Sequence, residues 1–171
     1  MMAVKAGDLL FIKNQHEPMD EAIAAATGSY VHVGIAVDAQ TVIHASPRYG
    51  VAVQGLMQFQ AEFGRPDVYR PQIDDVTDVI ARAKTYVGQP YNATFYPDGD
   101  GLYCSQLVEV AFGELIRFAP QLLRFHDATH EISAYWQGYY DKLGVAVPVG
   151  QPGSNPEAMA KSPQLTFIGT L

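Results

Sequence analysis

The chain has 171 residues, 48% hydrophobic, 17% charged and 11% aromatic, which suits one globular domain over residues 1–171 and excludes both a disordered tail and a small disulfide scaffold. Its 11 Lys and Arg against 18 Asp and Glu leave a formal charge of -7, which argues against nucleic acid as a partner. A single cysteine, Cys104, cannot form an intrachain disulfide, so its thiol is packed as a small hydrophobe, bound to something, or used chemically.

The opening MMAVKAGDLLFIK is broken by Gly7 and Asp8 and is too short for an export signal. No apolar run reaches the roughly 18 residues that cross a bilayer. The expectation is a cytoplasmic protein with no transmembrane segment. Gly7-Asp8 opens a strand over 9–13, and 17–27 reads as a helix with acids in its first turn and Gly28 past its end. Short β-branched runs at 30–38 and 41–46, separated by a polar turn, predict strands, as do 50–54 and 68–70. After Pro71 the period changes: Val76, Val79, Ile80, Ala83 and Val87 predict a helix over 74–87 with one buried stripe. A glycine-rich loop, 88–101, leads into a second helix, 104–117, and a third covers about 131–143. Asn155-Pro156-Glu157 supplies a cap, a first-turn proline and a first-turn acid for a short helix to Lys161, before a last strand at 165–168. Strands early and helices late predict an α+β fold with an antiparallel β-sheet packed against helices.

Alternation along the strand at 30–38 puts Val31, Val33, Ile35 and Val37 on one face, the core, and Tyr30, His32, Gly34 and Ala36 on the other. That second face is small and polar, open to something approaching the imidazole. His44 shares a face with Val42 and Ser46 on the next strand. A loop of three or five residues between the strands brings both histidines to one face; a two-residue loop separates them. Such a pair can be half-buried and satisfied by backbone, can ligate zinc with Cys104 as a further donor, or can serve catalysis. No metal-ligand spacing such as Cys-x-x-Cys supports the zinc alternative, and the reading calls for no cofactor.

Cys104 follows a loop and begins a helix, where unpaired N–H groups and the helix dipole favour an anion and lower a thiol's pKa. His32 can take the proton and His44 can hold that ring in one tautomer. A helix-start cysteine simply facing the core is the bland alternative.

These residues resemble the NlpC/P60 superfamily of papain-like cysteine peptidases and amidases. Gly88-Gln89-Pro90-Tyr91 and Tyr103-Cys104-Ser105-Gln106-Leu107-Val108 are similar to that family's G-x-P-Y loop and D-C-S-G nucleophile motif. His32-Val33-Gly34-Ile35, with His44-Ala45-Ser46 12 positions later, is similar to its H-V-G-I strand and third polar residue. The order is inverted, the cysteine following His32 by 72 positions, which is the pattern of the circularly permuted branch containing YiiX/YebB-like proteins and lecithin retinol acyltransferase-like enzymes. The resemblance spans about residues 7–112 and implies a permuted papain-like fold, with Cys104 as nucleophile, His32 as base, His44 as orienting residue and Tyr91 near the substrate. Tyr30, Ser46 and Tyr103, beside those three, are the other candidates for substrate contact. Tyr103 in place of the usual Asp and Gln106 in place of the usual Gly alter the shape of the cleft.

The implied chemistry is acyl transfer from an amide, thioester or ester, with a small peptide, amino-acid conjugate or acyl group as partner. Among amides the resemblance implies a short peptide or conjugate of the bacterial cell wall. A lipid acyltransferase or thioesterase and a non-catalytic binding module are the alternatives. Asp98-Gly99-Asp100-Gly101 lacks the later acids of a calcium loop and reads as a solvated turn. Tyr135, Trp136, Tyr139 and Tyr140 read as core and helix surface rather than as a substrate platform.

Overall fold

The computed structural model describes residues 2–171. Its elements in chain order are β1 (Leu9–Lys13), α1 (Pro18–Ala26), β2 (Tyr30–Ala36), β3 (Thr41–Ser46), β4 (Gly50–Gly55), α2 (Leu56–Phe63), β5 (Asp67–Pro71), α3 (Thr77–Thr85), α4 (Cys104–Phe112), β6 (Gln121–Leu122), α5 (Ala134–Leu143), β7 (Pro152–Gly153), α6 (Pro156–Ala160) and β8 (Leu165–Thr170). Six strands form one sheet in the order β4-β3-β2-β1-β5-β8, every pairing antiparallel, and β6 and β7 pair separately. The α+β expectation with an antiparallel sheet holds.

Both faces of the sheet are buried, which is why Leu9, Leu10, Phe11 and Ile12 run consecutively apolar in β1. On one face Leu9, Phe11, Val33, Ile35 and Ile43 pack against Leu107, Val108, Ala111 and Phe112 of α4 and Val79 and Ala83 of α3. On the other, Leu10, Ile12, Ala36 and Val42 pack against Phe59 of α2. This corrects the reading of the His32 face as open: α2, which the sequence reading left out, covers it.

Helix ends follow local chemistry. Gly113, at φ 55, stops α4 well short of Arg117. Ser133 accepts a hydrogen bond from the Trp136 N–H and starts α5 at Ala134 rather than near 131, and Asn155 caps α6 through the Ala158 N–H as expected. Just beyond β2, Val37 continues the pairing by donating its N–H to the Thr41 carbonyl at 2.8 Å, so the turn proper is the three residues Asp38, Ala39 and Gln40. Its odd length keeps His32 and His44 on one face. At the other end of β2 the register with β1 shifts between Ile12 and Lys13, so that Ile12 opposes His32 while Lys13 opposes Tyr30. This bulge breaks the alternation and turns Tyr30 to the Phe11 side, with ring centroids 5.3 Å apart.

Candidate active site

The loop from Gly88 returns on itself, Tyr91 bridging to Leu102, and Gly101 at φ 83 passes so close that a Cβ there would lie 1.9 Å from the Pro90 carbonyl oxygen. The chain then enters α4 extended at Tyr103, whose N–H donates to the Gln106 side-chain oxygen at 3.2 Å. Gln106 thus supplies the reciprocal half of a capping box, a physical reason for an amide where the resemblance leads one to expect glycine. Cys104 is fixed by this cap as the first helical residue, 7% exposed.

Its sulfur lies against β2. Nearby backbone N–H groups of Val33, Ser105 and Cys104 itself favour the thiolate, yet burial outweighs them and pushes the thiol up to about 11. The lowered pKa expected of a helix-start cysteine is therefore not found. Val33 is the neighbour of His32, and Cys104 and His32 line one cavity of about 240 Å³ together with Val31, Ser46, Tyr91, Tyr103 and Ser105. Aromatic and aliphatic side chains from α1, the 88–101 loop, the β6 segment and α5 complete it: Met19, Ile23, Phe95, Leu123, Phe125 and Trp136. Burial raises Tyr91 well above the ordinary phenol, with a smaller electrostatic contribution from Cys104.

The two imidazoles meet edge to face. His32 Nε2 lies 3.0 Å from His44 Nδ1, and His44 Nε2 lies 2.7 Å from Gln54 Oε1. Gln54 Nε2 donates to Glu62 Oε2 at 2.8 Å. Phe63 stacks on the His32 ring with centroids 4.9 Å apart, and Phe59 meets the His44 edge. Gly34 makes room between the histidines: a Cβ there would stand 2.7 Å from Val42 Cγ1 and 3.3 Å from His44 Cβ. Burial holds both imidazoles below the ordinary 6.5, His32 the more strongly, with the facing His44 adding to its shift. These shifts favour an uncharged thiol and uncharged imidazoles at neutral pH.

The structure gathers Cys104, His32, Ser46, Tyr91 and Tyr103 at the cavity, with His44 behind His32, but not Tyr30. The Tyr30 hydroxyl donates to Asp67 Oδ2 at 2.5 Å, away from the cleft. Gln54, Glu62, Phe59 and Phe63 were missed from the sequence, as was the lining role of Trp136. Gln54 pairs with Val42 and so shares the His44 face by the same alternation, while Phe59 and Phe63 lie four apart, the spacing of one helix side.

A family model described as a permuted papain-like amidase enzyme, YaeF/YiiX, C92 family, matches residues 3–169. The uncharacterized protein YiiX of Escherichia coli K12 is 26% identical over 176 residues, which span 96% of this chain and 85% of that protein. A crystal structure described as that of the metalloprotein YiiX of Escherichia coli O157:H7 superposes with a TM-score of 0.82 at 25% identity, over 99% of both chains. In this chain the donors do not fit a metal: among the described residues no group of three His, Cys, Asp or Glu is placed to hold one, and both His44 nitrogens face hydrogen-bond partners. The matched residues cover nearly the whole sequence, and the chain belongs to the permuted papain-like amidases of the YaeF/YiiX family.

Proposed function

We propose that the protein is a cysteine amidase that cleaves an amide bond in a short peptide or amino-acid conjugate of the kind found in bacterial cell walls, through a thioacyl intermediate on Cys104. The observation that carries this reading is the Cys104 sulfur seated at the start of α4 against the Val33 N–H, with the adjacent His32 on the same cavity and backed by His44 at 3.0 Å. The thiol proton passes to His32 as the sulfur bonds to the carbonyl carbon, and the Cys104 N–H meets the oxyanion. Collapse breaks the C–N bond while His32 returns the proton to the leaving amine. His32 then takes a proton from water, whose oxygen attacks the thioester and releases the acid and the thiol. Because the resting thiol is neutral, proton transfer accompanies attack rather than preceding it.

The test is to offer γ-glutamyl peptides, muropeptides and acyl thioesters in parallel to the purified protein and to Cys104→Ala. Amide hydrolysis that vanishes in Cys104→Ala is the expected result. Turnover of thioesters alone, or binding of peptides without turnover, would overturn the reading.

A further inference from the structure

We infer that Glu62 is a positioning residue which, through Gln54 and His44, fixes the proton of His32 on Nε2 and leaves the lone pair on Nδ1. The catalytic consequence rests on the hydrolase reading above; the proton order itself does not. A carboxylate only accepts hydrogen bonds, so the Gln54 amide must turn its NH₂ to Glu62, at 2.8 Å, and its oxygen to His44. That oxygen also only accepts, so His44 Nε2 carries a hydrogen and donates across 2.7 Å. Neutral His44 then has its lone pair on Nδ1, and the 3.0 Å contact requires His32 to donate from Nε2. Neutral His32 is left with one unprotonated nitrogen, Nδ1.

Each contact has a single workable polarity once Glu62 is in place, and the reverse order would set two acceptors face to face at Gln54. Glu62 is itself anchored: Arg48 Nη1 stands 3.4 Å from Oε1, and the Tyr49 hydroxyl donates to Oε2 at 3.3 Å. Phe63, one residue on, stacks on His32. One helix therefore holds the ring plane and sets the ring's proton.

The experiment is ¹⁵N NMR of the histidine rings at neutral pH, paired with the rate at which p-nitrophenyl acetate acylates Cys104. Wild type is expected to show pyridine-like Nδ1 and pyrrole-like Nε2 in both His32 and His44. In Glu62→Ala, Gln54 is free to turn, His32 Nδ1 gains a protonated population, and acylation falls on the order of tenfold or more. Adding Gln54→Glu to Glu62→Ala restores both readouts, because a carboxylate at 54 accepts from His44 in either orientation, whereas a merely structural role for Glu62 would not be rescued from that site. Glu62→Gln keeps the volume and gives the same mixed pattern should Glu62→Ala fail to fold. A proton on His32 Nδ1 in wild type, or a wild-type ring pattern in the Glu62 variants, would overturn the inference. The predicted ring pattern without any acylation of wild type supports the relay and overturns the hydrolase reading. Acylation with the proton on Nδ1 does the reverse.

Discussion

Cys104 is subject to two opposing influences, the N–H groups that favour its anion and the burial that disfavours it, and burial wins. Alkylation of the substrate-free protein by iodoacetamide is therefore expected to titrate with a midpoint near 11, and at neutral pH to run slower than for an ordinary thiol of pKa about 8.5. A midpoint at or below the ordinary value would show that the helix start dominates. The sequence displayed the helix start but not the enclosure, since the residues packed with Cys104 include Val33 of β2 and Tyr91 and Leu102 around the 88–101 loop. His32 and His44 were legible because strand alternation is a local rule. Tyr30 was misplaced by the same rule, because a bulge against β1 is a property of the pair of strands, not of either alone.

At the scale of elements, α2 is the piece that the sequence concealed. It is eight residues long, follows Gly55 with no side-chain cap, and has no acid in its first turn, so the usual start signals are missing. Its apolar residues Leu56, Phe59 and Phe63 make sense only against a sheet face that carries histidines. The permuted order and the antiparallel sheet, by contrast, were readable from motif order and strand clustering. Phe59 is fully buried between α2 and the sheet, in contact with both imidazoles. Phe59→Ala is expected to cost about 3–5 kcal/mol in urea unfolding. A loss below about 1 kcal/mol would show that α2 does not seal that face.

For the whole molecule, the buried histidines set a pH limit. Their folded pKa values lie below 6.5, whereas in the unfolded chain they titrate near 6.5. The unfolded state therefore binds more protons as pH falls past that value, so their contribution is complete above about 6.5 and is lost below it. Asp20 and Glu109, raised by burial, pull the other way in the carboxylate range. The thermal midpoint is expected to fall between about pH 7 and pH 5, with a shallower slope in His44→Gln. A flat wild-type profile would contradict the burial of neutral rings.

His32, His44, Gln54 and Glu62 all fall within residues 32–62, a single stretch of three hairpin-linked strands plus a helix, while the nucleophile arrives much later on α4. The proton-handling unit and the sulfur are thus two separately written modules, joined by the seating of Leu107 and Val108 on Val33 and Ile35. Substitutions in that seam, remote from any substrate, would change the gap between sulfur and ring. The reactivity of this scaffold can accordingly be retuned from its hydrocarbon interior without altering a single polar group.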